Sequence, residues 1–88
     1  MFEFVNEGVS VELVPRPGGK ARLRAFVWRG CRYIIESWGR ESDRRLGNRP
    51  VHCHLFQTAG GETWELCQDI ETAQWTLRRH WGRGARAV

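Results

Sequence analysis

Apolar and polar residues alternate along most of this chain, and turn-forming residues interrupt the alternation at short intervals. Val9-Ser10-Val11-Glu12-Leu13-Val14 alternates up to Pro15-Arg16-Pro17-Gly18-Gly19, where two prolines and two glycines in five residues predict a loop. Arg22 to Trp28 and Cys31 to Trp38 predict a hairpin that turns at Arg29-Gly30, because glycine supplies the positive φ of a tight turn. Setting Trp28 opposite Cys31 sets Phe26 opposite Tyr33 and Arg24 opposite Ile35. One face then collects Trp28, Phe26, Cys31, Tyr33 and Ile35. The other holds Leu23, Ala25, Val27 and Ile34 with Arg32 and Glu36. Both faces are partly apolar, as in the central strands of a curled sheet or small barrel.

Gly39 through Arg49 is polar and charged, with Gly47-Asn48 near its end, and reads as a long, mobile surface loop. Pro50 to Thr58 and Glu62 to Asp69 predict a second hairpin around Ala59-Gly60-Gly61. Val51, Cys53 and Leu55 share one face of its first strand, and Trp64 and Leu66 share one face of its second. Joining those faces pairs Leu55 with Leu66 or Trp64 and rejects Glu65 as its partner. Either register sets Cys67 opposite His54 or His52 on the outer face. From Gln74 to Trp81, period two picks out Trp75, Leu77 and Trp81, whereas a helical face picks out Ala73, Leu77 and Trp81. The Trp and Thr content and the turn-like Asp69-Ile70-Glu71-Thr72 favour a strand.

The expectation is an all-β domain over residues 1–81: a small antiparallel sheet of five or six strands, strongly twisted or closed into a small barrel. Residues 82–88, Gly-Arg-rich, read as a flexible basic tail. The expected core is Val11, Leu13, Phe26, Trp28, Tyr33, Ile35, Val51, Leu55, Trp64, Leu66, Trp75 and Leu77. Trp81 can be read either as buried or as displayed.

Eighty-eight residues suffice for one domain, and five Trp, four Phe and one Tyr supply its apolar mass. Each buried aromatic removes roughly 150–250 Å² from water, so a few can anchor a core of this size. No run approaches the roughly 18 apolar residues of a membrane span, and no membrane association is expected. Acidic residues and the lack of a long apolar run in Met1–Glu7 do not suit a signal peptide, so the expected compartment is the cytoplasm. Cys31, Cys53 and Cys67 are odd in number and form no CxxC pair, which favours buried free thiols.

Three constellations bear on chemistry. His52 and His54 point the same way on a strand, about 6.5–7 Å apart, and with Cys67 they make a sparse zinc-like set. Only three ligands come together, and Cys53 points away, so the simpler reading is two surface histidines beside a half-buried thiol. A Cys67–histidine nucleophile can be drawn with Glu65 or Asp69 orienting the base, but a domain this small offers no evident substrate cleft, and no catalytic function or cofactor is expected. The third constellation is basic and aromatic. Net charge is +4, and 13 of the 14 basic side chains are Arg. Arg22, Arg24, Arg29 and Arg32 fall on the first hairpin; Arg78, Arg79, Arg83 and Arg86 gather near Trp81. Arg forks suit phosphate and aromatics stack bases, which points to single- or double-stranded DNA as a partner. A base-composition bias towards Arg and an ordinary solvated face account for the same residues.

Trp28-Arg29-Gly30-Cys31-Arg32-Tyr33, Thr63-Trp64-Glu65-Leu66-Cys67-Gln68-Asp69 and Trp75-Thr76-Leu77-Arg78-Arg79-His80-Trp81 together resemble a bacterial domain-of-unknown-function family of small chains. That family carries a Trp-Arg-Gly-x-x-Tyr hairpin, an aromatic-Glu-Leu-x-x-Asp strand and a closing Trp-x-Leu-x-x-x-Trp. Its relatives stand beside, or fused to, error-prone Y-family polymerases of the ImuB type. The likeness spans roughly residues 22–81 and implies a setting in DNA damage tolerance, as an accessory module. The Val51-His52-Cys53-His54 stretch departs from it. The functional expectation is a non-catalytic domain that contacts nucleic acid. Its rivals are a docking domain for a polymerase or other protein and a small structural metal domain. The oligomeric state is left open.

Overall fold

Every hairpin of this chain turns at a residue that takes up a positive φ. Arg29 and Gly30 have φ of 51° and 77°, the double positive of the tightest two-residue turn, and Gly47 has 63°. Among the described residues, 1–82 of the computed structural model, these turns join six strands and no helix. They are β1 (Phe2–Arg16), β2 (Gly19–Trp28), β3 (Cys31–Leu46), β4 (Arg49–Thr58), β5 (Thr63–Asp69) and β6 (Trp75–Trp81). Each strand pairs antiparallel with the next, and β1 returns to pair with β6, so the sheet closes into a ring. Closure gives each of the six strands a partner on both sides, over part of its length where β2 meets β3. Apart from Gly82, the expected tail lies outside the described residues.

The hairpin at Arg29-Gly30 has the expected register, with Trp28 opposite Cys31 and Phe26 opposite Tyr33. The 75–81 run is a strand, as its Trp and Thr content favours. Three other expectations fail. The segment from Gly39 is no loop: β3 runs on to Leu46 and turns at Gly47-Asn48, with Glu41 opposite His54 and Asp43 opposite His52. Its polar side chains hide a strand whose ladder is made with β4. The second hairpin pairs Leu55 with Glu65, the register that the apolar pattern rejected. It places Phe56, Trp64 and Leu66 inside the ring, and Val51, Cys53 and Cys67 in a second small cluster on the opposite face. Finally, Cys53 and Cys67 sit directly opposite one another, Cα atoms 4.1 Å apart, and form a disulfide rather than free thiols. Cys31 is free and exposed.

Bulges explain the remaining differences in the core. Where Glu12 pairs with Ala25 but Leu13 with Leu23, Arg24 is an extra residue and the alternation changes phase. Leu23 and Phe26 both enter the core as a result, while Leu13, expected inside, is 48 % exposed. A second bulge leaves Arg78 between Leu77, opposite Leu66, and Arg79, opposite Glu65. Leu77 therefore points inwards with His80, whose ring lies 4.0 Å from that of Trp64. Trp81 is thrown to the outside, yet it is only 8 % exposed because Phe2, across β1, covers it. Val11, Trp28, Tyr33 and Trp75 are half-buried against the main core. Leu55 is half-buried too, on the outer face with Glu65.

Candidate functional site

The ring has two dissimilar ends. At one, Trp64, Phe26, Trp28, Tyr33 and His80 pack ring on ring. There Glu7 receives the Trp28 indole N–H at 2.9 Å and the Arg29 guanidinium at 2.6 Å. This end is closed by its own aromatics and ion pairs.

The other end is open. A cleft of about 450 Å³ is lined by residues from all strands except β6's second half, among them Arg16, Lys20, Arg22, Trp38, Glu41, Asp43, His52, His54, Gln68 and Trp75. The β3–β4 ladder builds its polar wall. Because Leu46 pairs with Arg49 across the Gly47-Asn48 turn, Glu41 falls opposite His54 and Asp43 opposite His52 on one side of the pair. His52 Nδ1 lies 2.6 Å from the Asp43 carboxylate, and His52 Nε2 lies 2.8 Å from that of Glu41. His54 Nδ1 stands 3.7 Å from the same Glu41 oxygen. Hydrogen bonds to Glu41 and then Asp43 push the His52 pKa up. Its neighbour behaves oppositely: burial pushes the His54 pKa down, against the attraction of Glu41.

The β1–β2 hairpin supplies the basic rim. Arg22 lies over the Trp38 ring, 3.7 Å from its centroid, and the Trp38 indole N–H is tied to the Leu23 carbonyl at 2.8 Å. Trp38 is 41 % exposed, so this aromatic is displayed rather than spent on the core. Among the described residues, Arg16, Lys20, Arg22 and Arg24 make no ion pair with a carboxylate.

That separates the arginines singled out in the sequence into groups. Arg29 is paired with Glu7 and Arg32 with Glu12. Arg78 and Arg79 both hold Glu65, which is 1 % exposed. Those four arginines are held in ion pairs by three carboxylates, Glu7, Glu12 and Glu65. Arg22 and Arg24 remain available. Arg83 and Arg86 lie outside the described residues. Trp81 packs against Phe2 and Arg79 and offers no open stacking face. Sequence reasoning passed over Arg16, Lys20 and Trp38, because Pro15–Gly19 read as a loop and Trp38 as the end of a strand, although the β2–β3 hairpin sets Trp38 beside Arg22 and Leu23.

The metal set drawn from the sequence is also rearranged. His52 and His54 face the cleft, whereas Cys67 lies on the opposite face, bonded to Cys53. Glu65 is near both sulfurs, but bonded sulfurs offer no thiolate and its carboxylate is held by two guanidiniums. Glu41 takes the place expected of Cys67: its carboxylate and the two imidazoles have ligand atoms within 4.8 Å of one another.

Fold and site together define a small antiparallel β-ring with one sealed end and one open, basic and aromatic end. Compared with known protein families, curated proteins and solved structures, the chain matches none. Among the described residues no helix is long and apolar enough to cross a membrane.

Proposed function

We propose that this is a non-catalytic binding domain whose open end receives single-stranded nucleic acid. The observation that carries the reading is Arg22 seated over the displayed Trp38, with Arg16 and Lys20 on the same rim. A base can stack where the ring is exposed, while unpaired cations meet the phosphates; small β-ring domains hold single strands by this combination. The two carboxylates of the cleft, Glu41 and Asp43, are turned to His52, which lessens their repulsion of an anion. The resemblance to the polymerase-associated family supports a setting in DNA damage tolerance, with an error-prone polymerase as neighbour.

The test is fluorescence anisotropy with labelled single- and double-stranded DNA across a salt series. Affinity for the single strand should fall steeply with salt. Replacing Lys20 and Arg22 by Ala should weaken it and flatten the slope by about 0.7 per lost phosphate contact. Replacing Arg29 and Arg32, which are already ion-paired, should change it little. Absence of binding at low salt defeats the proposal. Equal losses in the two double variants defeat the assignment to this cleft.

A further inference from the structure

The polar wall of the cleft carries a second arrangement, independent of the nucleic-acid reading. Two imidazoles and one carboxylate converge on it from neighbouring strands, and a second carboxylate stands behind one imidazole. The convergence follows from ladder geometry. Residues 41 and 43 of β3 oppose 54 and 52 of β4, so four polar side chains project from one side of a two-stranded ribbon. His52 and His54 bring their rings to 4.8 Å between centroids, nearly perpendicular at 84°. Edge-on rings let both turn a nitrogen towards a common point.

We propose that Glu41, His52 and His54 form a binding site for a first-row transition-metal ion of the zinc class, with Asp43 as the group that orients His52. The separations suit it. In a tetrahedral shell with bonds of about 2.0–2.1 Å, neighbouring donor atoms stand about 3.3 Å apart. His52 Nε2 and Glu41 Oε1 are 2.8 Å apart, and His54 Nδ1 is 3.7 Å from that oxygen. Rotations of a partly exposed Glu side chain close such differences without moving the backbone. The Asp43 contact is the feature that an accidental His pair lacks. A metal-bound imidazole characteristically donates its other ring N–H to a carboxylate, which fixes the ring and its tautomer. Here Asp43 is 2.6 Å from His52 Nδ1, leaving Nε2 on the Glu41 side.

Donor chemistry sets the class of ion. Two imidazoles with one carboxylate favour zinc and its neighbours over magnesium or calcium, which prefer all-oxygen shells. Three protein ligands leave at least one position for water or an incoming anionic ligand. His80 is the internal control. It is also set between two carboxylates, Glu3 at 3.2 Å and Glu62 at 3.1 Å, but no second imidazole joins it there.

The experiment is zinc titration of the full chain by calorimetry, with cobalt absorption spectra and long-range 1H–15N spectra of the imidazoles. One zinc per chain should bind, unaffected by excess magnesium, moving the ring signals of His52 and His54 but not His80. His54→Ala and Glu41→Gln should each weaken binding at least tenfold, and Asp43→Asn 10- to 100-fold, as outer carboxylates of this kind do. Thermal melts of the metal-free variants verify that each is folded, and the imidazole spectra of the wild-type chain decide the matter without any variant. The proposal is overturned if no zinc binds, if zinc shifts His80 instead, or if binding survives loss of both His52 and His54.

Discussion

Glu65 is buried on the outer face of the ring, and its carboxylate receives Arg79 Nε at 2.6 Å and Arg79 Nη2 at 3.0 Å. Arg78, the bulged residue, adds a third contact at 3.0 Å. Arg79 is in turn flanked by Phe2 and Trp81, with ring centroids 5.2 and 5.0 Å away. The network ties β5 to β6 and caps it with a residue of β1, at the seam where the ring closes. Removing one partner of a buried pair leaves the other charged and desolvated. Arg79→Ala should therefore destabilise the fold by about 3 kcal/mol, and Arg29→Ala, at an exposed pair, much less. Chemical denaturation of the two variants side by side checks this; equal effects would mean the Glu65 network contributes no more than a surface pair.

Acid should unfold the protein as its ion-paired carboxylates protonate, Glu65 and Asp69 among them. Burial raises the Glu65 pKa, but hydrogen bonds from Arg79 and Arg78 outweigh it and leave it lowered. Arg49, then the Thr72 and Glu71 backbone N–H groups, hold Asp69 down to about 2 from 3.8. A carboxyl whose pKa is lower in the folded state contributes stability that is complete above its unfolded pKa and lost as pH falls through the folded one. Stability should thus hold near neutrality, start to fall below about pH 4–5, and keep falling towards pH 2. Melts of Asp69→Asn across the same range should show a shallower decline. An unchanged profile would remove Asp69 from the explanation.

The Cys53–Cys67 bond closes a loop with a sequence separation of 14. Closing a loop of that size stabilises a fold by about 3 kcal/mol in the chain-entropy account. Reduction should lower the denaturation midpoint accordingly, and alkylation of the folded, unreduced protein should label Cys31 alone. Labelling of all three cysteines without reductant would show that the bond does not form. Because disulfides persist mainly in oxidising compartments, the same assay on protein taken from cells bears directly on the cytoplasmic expectation.

Trp64 is 0 % exposed and touches Phe26, Trp28, Tyr33 and His80 through ring contacts, while its indole N–H reaches the Thr58 hydroxyl at 2.9 Å. Trp64→Ala should cost about 3–5 kcal/mol, and Trp64→Phe markedly less. A Trp64→Ala protein that melts with the wild type would show that the sealed end does not depend on this side chain.

The sequence by itself determined the all-β class, the Arg29-Gly30 hairpin and its register, the terminal strand and the aromatic content of the core. These rest on local physics: a positive-φ turn, period-two alternation over a few residues, and the preference of Trp and Thr for extended backbone. It also held the cluster of Glu41, Asp43, His52 and His54 in code. Once Gly47-Asn48 is taken as a two-residue turn, counting outwards pairs Asp43 with His52 and Glu41 with His54. The charged side chains of 39–46 concealed that turn, because a strand whose ladder is made with its neighbour needs no apolar alternation of its own. Tertiary structure decided the rest. Closing the ring buried both faces of β5, so apolar pattern no longer distinguished the Glu65 register from its rivals. Bulges at Arg24 and Arg78 then reversed which residues point inwards, sending Leu13 and Trp81 out and Leu23 and His80 in. An alternating pattern carries no record of a bulge, whose position answers to the curvature of the closed sheet rather than to the residues beside it.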